Sequence, residues 1–469
     1  MIALFTIVYA IVMIAIGVYA SRKVKNSTDY VLAGRSLPFY MALSTVFATW
    51  FGSESILGAS SKFAEGGFSN VLEDPFGAGL CLIIAGLFFN RKLYRLNHLT
   101  IGDYFKARYN AIIATFLSIV IIVSYFGWVG AQFLALGVVL HGVIPSLAVQ
   151  TWIIIAAIIV AIYTIFGGMI SIALHDTFQT GIIIIGLVAV LVSVLPLVGG
   201  IDGLISIIPP EHFTFFPKGD SLIAWSVFFT ALMTQGFGSI PQQDIYQRAM
   251  SARNEKESMY ASVLGGLLYF VIIMIPIAIA SIAAHLYPEI LRDNSQLLIP
   301  TLIGQHTSPL LQIVFFGALL SAILSTASGA LLAPATLLSE NVIKPFFKEM
   351  RDGLRMRVIQ GGVLLVTVAG IFLASNDNAH IYELVGSAYS ITLVAGFAPL
   401  AFGLYNKHTN SVGALVSIIS GIAVWQMAKI LDTAIPPTFL GFFASVIGIM
   451  IGSLIGRMMM MEEMREEKL

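Results

Sequence analysis

The residues of this chain best placed to do chemistry are oxygen-bearing side chains embedded in apolar stretches. In Ser321-Ala322-Ile323-Leu324-Ser325-Thr326-Ala327-Ser328-Gly329 the serines fall at i, i+4 and i+7. A helix aligns them as one hydroxyl stripe bordered by Thr326. A row of neutral oxygens suits a hard cation whose hydration shell must be replaced; the same small residues also suit close helix packing. Two carboxylates stand in similar surroundings. Glu54 lies in Ala48-Thr49-Trp50-Phe51-Gly52-Ser53-Glu54-Ser55 and Asp176 in His175-Asp176-Thr177-Phe178-Gln179. Glu54 reads either as a structural acid bonded to neighbouring hydroxyls or as a binding group. Asp176 reads either as a helix cap or as an ion ligand. There is no Walker A pattern, no His-Glu-x-x-His and no Ser/His/Asp arrangement, so neither ATP-driven pumping nor an enzyme is expected. His98, His175, His285, His306 and His380 are scattered near the ends of apolar blocks and read as interfacial. Cys81 is the only cysteine, which excludes an internal disulfide and a multi-cysteine metal site.

The elements that must position these residues are set by composition. Of 469 residues, 58% are hydrophobic and 11% charged, far from the roughly 25% charged of soluble domains. Lipid must therefore be the solvent for much of the surface. Formal net charge is zero, which gives nucleic acid no electrostatic purchase. Apolar blocks lie near 2–20, 38–61, 74–93, 111–140, 149–168, 176–196, 222–240, 259–284, 309–336, 356–375, 380–404, 410–430 and 438–460. This predicts an all-α polytopic membrane protein of about thirteen crossings. Those at 38–61, 222–240 and 309–336 are rich in Gly and Ser and are the ones hydropathy miscounts most easily. Residues 1–20 read as a retained first span, since no basic stretch precedes them.

Charge checks the count. With the N-terminus outside, all but four of the 25 basic residues fall in inward segments near 22–35, 91–108, 248–256, 344–357, 407 and 457–468. The exceptions are Lys62, Lys218, Arg292 and Lys429. Such alternation follows the positive-inside rule and predicts N-out, C-in. Two blocks look unable to run as unbroken helices: the second, with Phe51-Gly52-Ser53 and Gly58, and the seventh, with Gln235-Gly236-Phe237-Gly238-Ser239-Ile240-Pro241. Unpaired backbone at membrane depth is tolerated beside protein, an ion or a wet cavity. Broken helices five blocks apart fit a five-plus-five inverted repeat with a midplane substrate site. The expected organisation is a peripheral span and loop (1–30) and a transport core (31–405, repeats about 38–196 and 222–404). Two further spans (406–460) and a cytoplasmic tail (461–469) follow.

Four local sequences carry a family resemblance: Asp29-Tyr30-Val31-Leu32-Ala33-Gly34-Arg35-Ser36-Leu37, Tyr163-Thr164-Ile165-Phe166-Gly167-Gly168-Met169, Gln243-Asp244-Ile245-Tyr246-Gln247-Arg248 and Ser321-Ala322-Ile323-Leu324-Ser325-Thr326. In this order and topology, from about Asp29 to about residue 430, the chain resembles the sodium:solute symporter family. The resemblance implies a LeuT-like inverted-repeat fold in the cell inner membrane. It also implies sodium-coupled import of a small organic solute by alternating access, with the chain acting as a monomeric transport unit. Carried over by motif, Na+ meets the backbone carbonyls of Ala48, Phe51 and Ala322 and the hydroxyls of Ser325 and Thr326. Some members bind a second sodium through an aspartate and serines that match Asp176, Ser325 and Ser328. Gly329 stands where those members have another hydroxyl, so one-to-one coupling is expected.

For the solute, the resemblance points to Trp50, Glu54, Trp128, Gln132, Gln235, Phe237 and Gln242. Trp50 and Trp128 offer aromatic faces to an ammonium group. Gln242 replaces a tryptophan of the choline carriers and Ser55 a glutamine of the sugar carriers, which argues against both solutes. An amino acid, another small zwitterion or a small carboxylate is the expected cargo. The alternatives are proton coupling through Glu54 and Asp176, and a transporter-like solute sensor.

Overall fold

The computed structural model describes residues 2–347, 349–376 and 381–466; Lys348, His380 and Lys468 lie outside the described residues. Among the described residues the regular elements are helices, and one isolated bridge pairs Leu37 with Ala252. The principal helices are α1 (Ile2–Ser21), α2 (Phe39–Trp50), α3 (Leu72–Leu96), α4 (Ala111–Val143), α5 (Val149–Val194), α6 (Leu222–Gly236), α7 (Gln243–Ser251) and α8 (Glu255–Leu286). They continue with α9 (Pro309–Leu337), α10 (Asp352–Ala374), α11 (Ile381–Thr392), α12 (Ser411–Ile430) and α13 (Pro437–Glu466).

Nine helices among the described residues are long and apolar enough to cross a bilayer, fewer than the thirteen expected. The reason lies in how the polypeptide breaks. Two of the Gly- and Ser-rich blocks give only the short apolar helices α2 and α6, and α1 contributes the short apolar stretch Ile11–Ser21. The fifth and sixth blocks run together as α5, whose 46 residues would extend about 69 Å, about twice the apolar thickness of a bilayer. The run is broken at Gly168 (φ 52°, ψ −148°), a conformation open to glycine; a Cβ there would sit 2.5 Å from the Tyr30 carbonyl oxygen. This corrects the position of Asp176. The helix is under way from the break onward, so Asp176 is an interior buried residue of it and caps no terminus.

Burial shows which face meets lipid. On α5, Ile154, Ile158, Ile162 and Phe166 are exposed at four-residue spacing, while Ala157, Val160, Ala161 and Thr164 are buried. Such a stripe would be an aggregation surface in water and is the matched surface in hydrocarbon. At the centre, every residue of α9 from Gly317 to Leu337 is buried. Small side chains let α1, α2, α4, α5 and α10 pack around it. The helices α12 and α13 pack mainly on each other, with Ser417 and Ser445 hydroxyls 2.8 Å apart.

Both expected interruptions are present. α2 stops at Phe51 (φ −92°, ψ 70°), and the chain resumes as a helix at Glu54. α6 gives way to turns before α7 begins at Gln243. The basic segments gather at one end of the bundle. There Arg35 donates to the His98 carbonyl at 2.8 Å and Leu37 N–H to that of Ser251 at 3.0 Å. Arg95 pairs with Glu255 at 2.6 Å, and Arg108 donates to the Gly403 carbonyl at 2.8 Å. At the other end of the second block Glu65 accepts from Ser295 at 2.6 Å.

Candidate functional site

Ending α2 at Trp50 strips its last carbonyls of their helical amide partners. The Ala48 carbonyl instead faces α9, accepting from Ser325 Oγ at 3.3 Å and Thr326 Oγ1 at 3.2 Å. Close approach depends on Gly52: a Cβ there would lie 2.8 Å from Thr326 Oγ1 and 2.5 Å from a Glu54 carboxylate oxygen. Ala322 sits one turn before Thr326 in the unbroken helix. The stripe of three serines is divided in its partners. Ser321 bonds Tyr9 of α1 at 2.5 Å, whereas Ser325 reaches both Ala48 and Asp176, the latter at 2.5 Å. Ser328 turns its hydroxyl to the Ser325 carbonyl, 2.9 Å away. Asp176 faces Arg248 of α7 across 3.9 Å, and both side chains are buried.

Just beyond the break, the Glu54 carboxylate accepts Trp128 Nε1–H at 3.2 Å and Gln132 Nε2–H at 2.8 Å. Gln132 Oε1 in turn accepts from the Ser53 hydroxyl at 3.0 Å. The Trp50 and Tyr389 rings stack, with centroids 5.7 Å apart and planes 11° from parallel; Trp128 lies 5.9 Å from Tyr389 at 59°. Among the described residues, buried Trp50 Nε1 and the Tyr389 hydroxyl have no hydrogen-bond partner. Next to them Asp74 accepts from the Tyr269 hydroxyl, which itself lies 2.6 Å from Ser55 Oγ. Glu54, Glu73, Asp74, Gln235, Val385 and Gly386 line a void of about 10 Å³. That is room for about one water. A solute enters only when these helices part.

Trp50, Glu54, Trp128 and Gln132 thus come together, with Gln235 on the void's wall. Two expected residues do not join them. Phe237 stacks on Phe397 at 4.8 Å and neighbours Phe442, an apolar aromatic cluster. Gln242 donates to Ser124 at 3.1 Å and lies 3.4 Å from Thr392, so it ties α4 to α11. Four residues of the centre escaped the sequence reading. Glu73 and Asp74 fell at the edge of the third apolar block, although two acids opening an apolar run were a signal. Tyr389 carries none. Arg248 was counted with the inward basic residues but is buried in the bundle. His175 is likewise buried, its Nε2 bonded to the Met13 carbonyl at 2.9 Å. Among the described residues no cluster of His, Cys, Asp and Glu has the makings of a multidentate metal centre.

A lipid-embedded bundle with an interrupted helix laid against a continuous one, and a closed polar and aromatic centre at the interruption, defines a secondary membrane transporter. Residues 30–421 match the sodium:solute symporter family, and the chain belongs to it. It is 24% identical over 445 residues to the high-affinity choline transporter 1 of Drosophila melanogaster, covering 89% of this chain and 69% of that protein. It is 27% identical over 479 residues to the sodium/proline symporter of Salmonella typhimurium, covering 96% and 92%. The fold is similar to that of a Na+-coupled sialic acid symporter in a substrate-bound outward-open state. Their TM-score is 0.83 at 19% identity, with 97% of this chain and 98% of that one covered. The protein is a multi-pass, sodium-coupled secondary transporter that moves a small organic solute by alternating access, not an enzyme.

Proposed function

We propose that this symporter imports an amine-bearing small solute, an amino acid or related zwitterion, together with one sodium ion. The observation that carries the solute class is the void flanked by Glu54, Glu73 and Asp74, with no Lys or Arg among the described residues that line it. Carboxylates at membrane depth are costly unless compensated, and a solute ammonium compensates them. The aromatic faces of Trp50, Trp128 and Tyr389 add cation–π attraction. A small carboxylate without an amine, admitted on sequence grounds, fits this surrounding poorly. Gln132 and Gln235 supply neutral hydrogen bonds for the rest of the solute. Sodium is held by the carbonyls of Ala48, Phe51 and Ala322 and the hydroxyls of Ser325 and Thr326. It fastens α2 to α9, orders the interruption and so completes the solute pocket. Coupling of this kind is a reciprocal linkage of about 1–3 kcal/mol. A thermal-shift screen of the purified protein tests the reading. Amine-bearing solutes should stabilise it, more so with sodium, and matched carboxylates lacking the amine should not. The reverse order rejects the assignment.

The same reading gives the chain thirteen crossings, N-out and C-in, in a cell inner membrane. An inverted-repeat core at 31–405 lies between the first span and the pair at 406–460. Its support is the broken α5, which is long enough for two crossings, the paired interruptions after α2 and α6, and the convergence of basic segments at one end. The same reading makes the single chain the transport unit. The buried carboxylates Glu54 and Asp176 also favour a second reading, proton coupling. Uptake that follows the sodium gradient and ignores a pH gradient separates the two.

A further inference from the structure

We infer that the groove between α1, α4, α5 and α9 is a binding site for one acyl chain of a membrane phospholipid, independently of the ion and solute assignments. The groove encloses about 290 Å³. Its floor is Leu136 and Leu140 of α4, Ala156 of α5, and Leu320 and Leu324 of α9, all buried. Its rim is Ile11 and Ile14 of α1 and Ile155 and Ile159 of α5, all at least partly exposed. Among the described residues no charged side chain lines it. The two lining side chains with polar atoms have them engaged within the protein. Tyr9 bonds Ser321 at 2.5 Å and accepts from Gln179 at 3.1 Å, and Trp152 Nε1–H donates to the Ile144 carbonyl at 3.1 Å.

Continuity with the lipid-facing surface and depth in the bilayer point to the occupant. Ile155 and Ile159 each follow an exposed residue of the α5 stripe Ile154, Ile158, Ile162 and Phe166, so the rim is an edge of the face that meets lipid. Hydrocarbon reaches the groove directly, whereas water gains no hydrogen bonds by entering; an apolar cavity of about 150 Å³ already stays dry and takes a small hydrocarbon. The groove begins at the hairpin between α4 and α5, where Trp152 is the kind of side chain that lies at headgroup level. From Trp152 to Ile159, α5 rises about 10 Å, about a third of the apolar thickness of a bilayer. The space thus starts where an acyl chain starts and runs inward as the chain does. An ammonium or carboxylate solute would be stranded there without a partner. Left empty, the groove would deny Leu320 and Leu324 neighbours on one side and forfeit their dispersion contacts. A bound chain supplies those contacts and packs against α9 through the gap between α1 and α4.

Photolabelling of the full-length protein tests this, in phosphatidylethanolamine–phosphatidylglycerol vesicles that carry a trace of phospholipid with a diazirine on one acyl chain. Peptide mass spectrometry should find label on Leu136, Leu140, Leu320 or Leu324, buried residues that surrounding lipid does not touch, as well as on the exposed Ile158 and Phe166. Leu320→Trp and Ala156→Leu fill the groove from opposite walls. Each should remove the floor label and leave the label on Ile158 and Phe166. Label confined to the exposed residues of the parent overturns the inference, whether or not a variant folds. So does a floor labelled as heavily in both variants as in the parent when they keep its melting behaviour. A floor reached by iodonaphthyl azide but not by the phospholipid probe also rejects it, because the groove then takes small apolar molecules and no lipid chain.

Discussion

The Ala48 carbonyl oxygen lies 3.2 Å from the Thr326 hydroxyl, joining the frayed end of an interrupted helix to the middle of a continuous one. Neither oxygen has a charge, and both are buried. A hydroxyl can turn its proton away and present a lone pair, so this contact can exchange a hydrogen bond for an ion. The replacement Ser325→Ala with Thr326→Ala removes both hydroxyls and leaves the backbone intact. It should abolish sodium-stimulated uptake in proteoliposomes, or raise half-saturating sodium at least about tenfold, equivalent to 1.4 kcal/mol. Parental sodium dependence in the double variant would remove the site from these residues.

Gly52→Ala probes the same junction from the other side. The added methyl meets Thr326 Oγ1 and the Glu54 carboxylate at distances atoms do not tolerate, so these two side chains must shift from their places at the junction. Uptake should fall by an order of magnitude or more, with half-saturating sodium and solute KM rising together, because both sites share the interruption. An effect on solute KM alone would mean that the Gly52 segment serves only the pocket.

How far the sequence could be read depended on the kind of signal each residue carries. The interruption after Trp50 was legible because Gly52 stands in an apolar run. The Ser325–Thr326 pair was legible because helical spacing makes a stripe. Hydropathy could not tell that α5 is one helix broken at Gly168, since a single φ value leaves no trace in an average. It also could not assign Ser321 to packing on Tyr9, which depends on a partner 312 residues away. Nor could it separate Arg248 from the surface basic residues. Phe237 and Gln242 were near the seventh-block break in sequence, yet the turns there aim them at Phe397 and Ser124.

Glu54→Gln keeps the shape of the side chain and removes its charge. The contacts to Trp128 and Gln132 can be partly remade, so folding should survive. Solute affinity should drop about tenfold or more, since hydrogen bonds to charged groups are worth about 1.5–3 kcal/mol. Sodium binding without solute should stay within about twofold of the parent. Isothermal titration with solute and radioactive sodium binding read the two separately. Loss of sodium binding with unchanged solute affinity would reassign Glu54 to the ion.

Orientation is tested with single cysteines. Lys218 and Lys407 are both exposed, and the only native thiol, Cys81, is buried. In a Cys81→Ala background, Lys218→Cys should react with an impermeant maleimide added to intact cells, whereas Lys407→Cys should react only after the membrane is opened. Labelling of both from one side contradicts the thirteen-crossing arrangement.

Asp176→Asn separates an ion ligand from a partner of arginine. Asparagine retains an oxygen for Ser325 but takes the ion-pair partner at 3.9 Å away from the buried Arg248 guanidinium, which keeps only the more distant field of Asp244. Breaking a buried pair in this way costs about 3–5 kcal/mol. The variant should therefore melt well below the parent and transport more slowly. With one sodium carried per solute, as proposed, the number of sodium ions does not change. The Hill coefficient for sodium should be near one in both proteins, and charge moved per solute equal. The double change Asp176→Asn with Arg248→Gln should recover part of the lost stability, because it removes the orphaned charge along with its partner. Initial uptake against sodium concentration, charge-to-solute ratios and thermal melts of the three variants and the parent provide the readouts. A parental ratio of two sodium ions per solute that falls to one in Asp176→Asn would show that Asp176 ligates a second ion despite the arginine.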